Sequence, residues 1–101
     1  KGNEKPVFAD RMLKIKSLSH IGKESQFTKL VFTKQAQFMD NTGRQIVSEI
    51  VMDAIMFSID DVLEKAYADG TYVNVLYYPS INEYNGRRKL QIVINSVKPV
   101  L

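Results

Sequence analysis

Apolar and polar residues alternate with a period of two through most of this chain, which places successive side chains on opposite faces of extended strands. From Val7 to Leu18, Leu13 and Ile15 fall on one face and Lys14 and Lys16 on the other. The alternation slips near Met12, which predicts a bulge there. Ser19 to Gln26 is polar, holds His20, Gly22 and Lys23, and reads as a hairpin loop. The rhythm returns from Phe27 to Thr33, with Leu30 and Phe32 pointing one way and Lys29, Val31 and Thr33 the other. It is clearest in Ile81 to Ile94, where Asn85-Gly86 suits the two positive φ angles of a type I′ turn and Leu90, Ile92 and Ile94 share a face.

Two stretches break the pattern. Ile46, Val47, Ile50, Val51, Ala54 and Ile55 also satisfy helical spacing, yet their β-branched content favours a strand over about Ile50 to Phe57. Asp40-Asn41-Thr42-Gly43 reads as a turn before it, so residues 36 to 48 form an extra hairpin or an extension. One helix is predicted from about Ile59 to Ala68, with Ser58 as N-cap, Asp61 three residues on, a stripe of Ile59, Val62, Leu63 and Ala66, and Gly70 as the left-handed stop. Thr71 to Tyr78 is a further strand, and Pro79 after it argues for an edge or bulge. Three strands, a helix and two strands is the order of a mainly β, five-stranded Greek-key barrel of the OB-fold type, with its helix between the third and fourth strands. Other small α+β sheets share that order.

Composition narrows the reading. A chain of 101 residues with 45% apolar and 25% charged residues suits one globular domain, here 7–101, with 1–6 as a linker remnant. The absence of Cys and the single His leave no disulfide and no ordinary zinc ligand set, and no apolar run is long enough to span a bilayer. No signal peptide follows the first residues, so a soluble, cytoplasmic protein is expected. The missing initiator Met suggests a piece of something longer. A net charge of +3 with a pI near 9.2 favours a polyanionic partner, although a merely basic surface gives the same totals.

The hairpin carries the best candidates. With Asn85-Gly86 as a two-residue turn, Tyr84 faces Arg87, Glu83 faces Arg88 and Asn82 faces Lys89. Arg88 then shares a side with Leu90 and Ile92 and forms a structural pair with Glu83, and Gly86 serves the turn. Arg87, Lys89, Gln91, Asn82 and Tyr84 share the other face, where cations can neutralise phosphates and a ring can stack on an unpaired base. His20 and Lys23 in the first loop, with Lys14, Lys16 and Lys29 on outward strand faces, extend a basic track, although a solvated loop and solvated strand faces would show the same residues. Asp60 and Asp61 sit where carboxylates favour a helix dipole rather than as paired catalytic acids. Tyr72, Tyr77 and Tyr78 read as core or barrel-surface packing rather than as base platforms, with exposure of one of them left open. No phosphate loop, nucleophile elbow or metal-ligand cluster is present, so no catalytic residue and no metal ligand is assigned.

At these residues the chain resembles the OB domain of RecJ-type single-stranded-DNA-specific exonucleases. The resemblance covers nearly the whole chain. It rests on Gly2-Asn3 with Pro6-Val7-Phe8, Gly22-Lys23, Lys29-Leu30, Asp53-Ala54-Ile55-Met56-Phe57, and above all Ile81-Asn82-Glu83-Tyr84-Asn85-Gly86-Arg87-Arg88 with Leu90-Gln91 and Pro99. It implies a parent enzyme that degrades single-stranded DNA from the 5′ end in repair and recombination, using Mg or Mn in a separate catalytic core. The Asp and His motifs of that core are absent here. The implied role is therefore a non-catalytic, cofactor-free domain that holds single-stranded DNA against the core, with replication or repair proteins as further partners; an alternative is a module that mainly packs on the core. Two features depart from the family pattern: the start reads Gly-Asn-Glu-Lys-Pro, and residues 34 to 49 make a longer link between the second and third strands.

Overall fold

The computed structural model describes residues 6–100; the expected linker, apart from Pro6, lies outside them. Five strands, β1 (Phe8–Ile21), β2 (Phe27–Met39), β3 (Gln45–Met56), β4 (Tyr72–Tyr84) and β5 (Arg87–Pro99), close into a barrel in the order β1-β2-β3-β5-β4. The helix α1 (Asp61–Asp69) joins β3 to β4. This is the OB-type barrel that the element order predicts. The neighbouring pairs are antiparallel except β3 and β5, which close the barrel in parallel through Ala54–Ile92 and Ile55–Val93.

Strand β1 changes partners partway along its length. Its first half pairs with β4 and its second half with β2, and Lys14 lies opposite both Tyr72 and Thr33. Such a bend needs extra residues on the bent strand. Met12 supplies one, at φ 61° with its N–H donated to Asn74 Oδ1 at 3.0 Å, where the alternation slips in the sequence. Lys16 supplies the other, since the register with β2 shifts between Ile15 and Ser17. Asp10 ties the bent region together by accepting from Lys34 Nζ at 2.6 Å and from the Tyr77 hydroxyl at 2.8 Å. Burial and that bond to a carboxylate push the Tyr77 phenol up to about 12.

The core takes inward residues from each strand, among them Leu13, Ile15, Leu30, Phe32, Ala54, Val73, Val75, Ile92, Ile94 and Val97, and α1 closes one end with Leu63 and Ala66. The helix begins later than the spacing predicts. Its N-cap is Asp60, not Ser58: the Asp60 carboxylate accepts from the N–H groups of Val62 and Leu63 at 2.9 and 3.1 Å. The Ser58 carbonyl instead accepts from the buried Thr28 hydroxyl at 2.8 Å, which holds the segment extended before the cap. Gly70 stops the helix at φ 71°, as expected.

Residues 34 to 49 are the strand extension. Strands β2 and β3 stay in continuous register from Thr28–Met56 out to Met39–Gln45, well past the barrel. The Asp40 carboxylate closes the turn by accepting from the Thr42 hydroxyl and from the N–H groups of Thr42 and Arg44, which lowers its pKa. Helical spacing of Ile46, Val47, Ile50 and Val51 arises because both faces of this arm carry apolar residues, all four being exposed. Strand β4 likewise runs beyond the predicted Tyr78. Its pairing with β1 ends at Tyr77, so Pro79 lies where β4 has only β5 beside it, the position proline tolerates.

Candidate nucleic-acid interface

The outer faces of β2 and β3 carry Lys29, Val31 and Thr33 opposite Ile55, Asp53 and Val51, because Leu30, Phe32 and Ala54 take the inward positions. The β4–β5 hairpin rises beside this face. Together they enclose a groove of about 350 Å³ whose lining includes Lys29, Ile55, Phe57, Asn82, Gln91 and Val93, with Ile21 at the end of β1. Val93 is buried yet stands outside the contiguous core, so it belongs to the groove floor. Phe57 stands at the groove as a residue 58% exposed, its ring braced edge-on against Phe27 at 5.6 Å between centroids. An exposed ring beside a lysine and two amides offers a stacking plane, a counter-charge and hydrogen bonds to whatever lies there.

Of the residues selected from sequence, the fold gathers Lys29, Asn82 and Gln91 into this groove. The hairpin register is the one deduced: Asn85 and Gly86 have φ of 53° and 76°, and Tyr84, Glu83 and Asn82 lie opposite Arg87, Arg88 and Lys89. The side chain of Tyr84 lies outside the described residues. Arg87 is exposed at the hairpin tip, away from the groove lining. Glu83 and Arg88 approach to 3.6 Å with both side chains more than two-thirds exposed, an arrangement worth less than about 1 kcal/mol. Lys16 and Lys14 face outward on β1, and Lys23 is exposed in the β1–β2 turn.

The placement of His20 is corrected: it belongs to β1, not to the loop, in register with the inward Thr28, where it is exposed on the side of the strand next to the helix. Its Nε2 meets Glu64 Oε2 at 2.8 Å, a link between β1 and α1. Lys89 is engaged too: its Nζ lies 2.8 Å from Asp53 Oδ2, which ties β5 to the outer side of β3. Sequence reasoning passed over Phe57, Ile55 and Val93. The available signal was parity, since Ile55 and Phe57 both alternate with the inward Ala54.

Asp53 places a negative charge on the face where phosphates would pass. Asp53→Asn is expected to raise oligonucleotide affinity roughly two- to fivefold at low salt, by removing a like-charge interaction of under about 1 kcal/mol in water and freeing Lys89. Fluorescence anisotropy beside Lys89→Ala checks this; equal affinity in wild type and Asp53→Asn would show that the pair lies off the path.

A closed five-stranded barrel with one helix between its third and fourth strands and a groove on its outer face defines this chain as an OB-fold domain. More narrowly, it belongs to the RecJ OB domain family, which matches residues 1–96. Among solved structures it is similar to a small single-stranded DNA-binding protein from Streptomyces coelicolor, at 9% identity and a TM-score of 0.63 over 97% of this chain and 95% of that one. It is also similar to the Plasmodium falciparum SSB in complex with single-stranded DNA, at 12% identity and a TM-score of 0.51 over 99% and 95%. Among curated proteins no sequence relative is found. Among the described residues no helix is long and apolar enough to cross a membrane, and no group of three or more His, Cys, Asp or Glu could hold a metal ion.

Proposed function

We propose that this chain is the single-stranded-DNA-binding OB domain of a RecJ-like 5′ to 3′ exonuclease, contributing strand capture rather than chemistry to repair and recombination in the cytoplasm. The observation that carries it is the outer groove, where the exposed Phe57 ring, Lys29 and the amides of Asn82 and Gln91 converge. Membership of the RecJ OB domain family supports the parent context, and the two solved proteins named above support the ligand. In this reading Mg or Mn belongs to the catalytic core of the parent chain. Titrating a fluorescent oligonucleotide at two salt concentrations tests it: with about three phosphates neutralised, log affinity falls with log salt at a slope of roughly −2. Absence of binding at low salt overturns the reading.

A second reading is favoured by one observation. Phe38, Ile46 and Ile50 are exposed together on one face of the β2–β3 arm, an apolar surface suited to packing on the parent's catalytic core. Chemical-shift changes confined to the arm on adding that core, with none on adding DNA, would favour this reading over the first.

A further inference from the structure

A second cleft, of about 470 Å³, opens on the same side of the barrel where β1 passes from β4 to β2. The left-handed residue Met12 leaves both Arg11 and Met12 exposed beside Lys14, and Lys14 faces Tyr72 on one strand and Thr33 on the other. Arg11 and Lys14 have no ion-pair partner among the described residues. Lys34, also in the lining, is neutralised by Asp10 at 2.6 Å, and among the described residues Glu49 is the one acid in the lining. Tyr72 is 44% exposed beside Arg11 and Lys14. The cleft therefore repeats the chemistry of the groove: positive charge, an amide in Gln35 and an aromatic plane.

The two sites lie on one track. Thr33 of the cleft and Lys29 of the groove both point outward from β2, four residues apart, about 13 Å at the rise of an extended strand. Val31 lies between them with Ser17 opposite, while Lys16 at the bulge is exposed alongside. Building on the reading of the groove as a single-stranded-DNA site, we infer that the strand continues along β2 into this cleft, where Arg11 and Lys14 hold its phosphates and Tyr72 receives a base. Groove and cleft together give a longer footprint than the groove alone, within the range of about 4 to 16 nucleotides known for OB folds.

Anisotropy titrations with oligonucleotides of about 6 and about 16 nucleotides, spanning that range, separate the two sites. Wild type is expected to bind the longer one more tightly. Arg11→Ala with Lys14→Ala should weaken the longer oligonucleotide roughly tenfold at low salt, lower its salt slope by about 1.4 and leave the shorter one within about twofold. Arg11→Lys with Lys14→Arg should restore the longer one, and circular dichroism melting of each variant monitors the fold. Equal losses on both lengths, or none on the longer, overturn the inference while the groove reading stands. If wild type binds neither oligonucleotide, both readings fall.

Discussion

Replacing Phe57 by Leu together with Lys29 by Ala is expected to weaken single-stranded oligonucleotide binding by about two orders of magnitude, the largest functional loss available from two substitutions. Stacking of a base on an aromatic ring is worth about 1–3 kcal/mol by truncation, which alone spans roughly 5- to 150-fold. Removing one phosphate contact adds several-fold at low salt and lowers the salt slope by about 0.7. Leucine is the informative replacement because it keeps apolar bulk against Phe27 while removing the π face. The edge-on pair with Phe27 contributes about 0.5–1.5 kcal/mol beyond area burial, so a small drop in melting temperature is expected and does not explain the binding loss. Anisotropy titration with the double variant and each single variant checks the result. Affinities within about threefold of wild type would mean that the exposed ring packs against another surface instead, since a lost stacking plane costs more than that.

The parts of the fold that were legible in the sequence are those where one local rule decides. Asn85-Gly86 admits the positive φ angles of a tight turn, and that choice sets the register down to Asn82 and Lys89. Leu13, Ile15, Leu30 and Phe32 were readable as core because the barrel gives each strand one dry side. The slip near Met12 marked a bulge for the same reason: an extra residue breaks parity before it does anything else. Where two rules compete, the sequence was ambiguous. Ser58 and Asp60 can both cap a helix, and the hydrogen bond from Thr28 to the Ser58 carbonyl decides between them across a separation of 30 residues. Ile46 to Val51 carry no single period because the arm leaves the barrel and has no core side to enforce one. His20 and Lys89 looked alike as free basic groups. Their partners, Glu64 on the helix and Asp53 on β3, come from elements that only closure of the barrel brings near. The groove was half legible: hairpin register gave Asn82 and Gln91, whereas Phe57 needed the parity of β3 counted from Ala54.

Phe32→Ala is expected to be the most damaging single substitution for stability. The ring is fully buried in β2 between Ile15 of β1 and Met52 of β3, so truncation leaves a cavity that both neighbouring strands hold open. Such changes cost about 3–5 kcal/mol, against a total stability of roughly 5–15 kcal/mol for a domain of this size. The melting temperature should fall by about 15–30 °C, with the urea midpoint displaced in parallel. Phe38→Ala is the matching control. Phe38 lies on the same side of β2 six residues on, but in the arm, where 52% of it is exposed, so its replacement should change stability by no more than about 0.5 kcal/mol. A large loss at Phe38 would show that the arm folds as one unit with the barrel core. Binding provides an internal check on Phe32→Ala, because the groove residues sit on the opposite side of β2 and β3. An oligonucleotide at about 100 times its dissociation constant should return about 2.7 kcal/mol to wild type and variant alike. If the variant regains less, the cavity has also displaced Lys29 or Ile55, and the outer face depends on the packing beneath it.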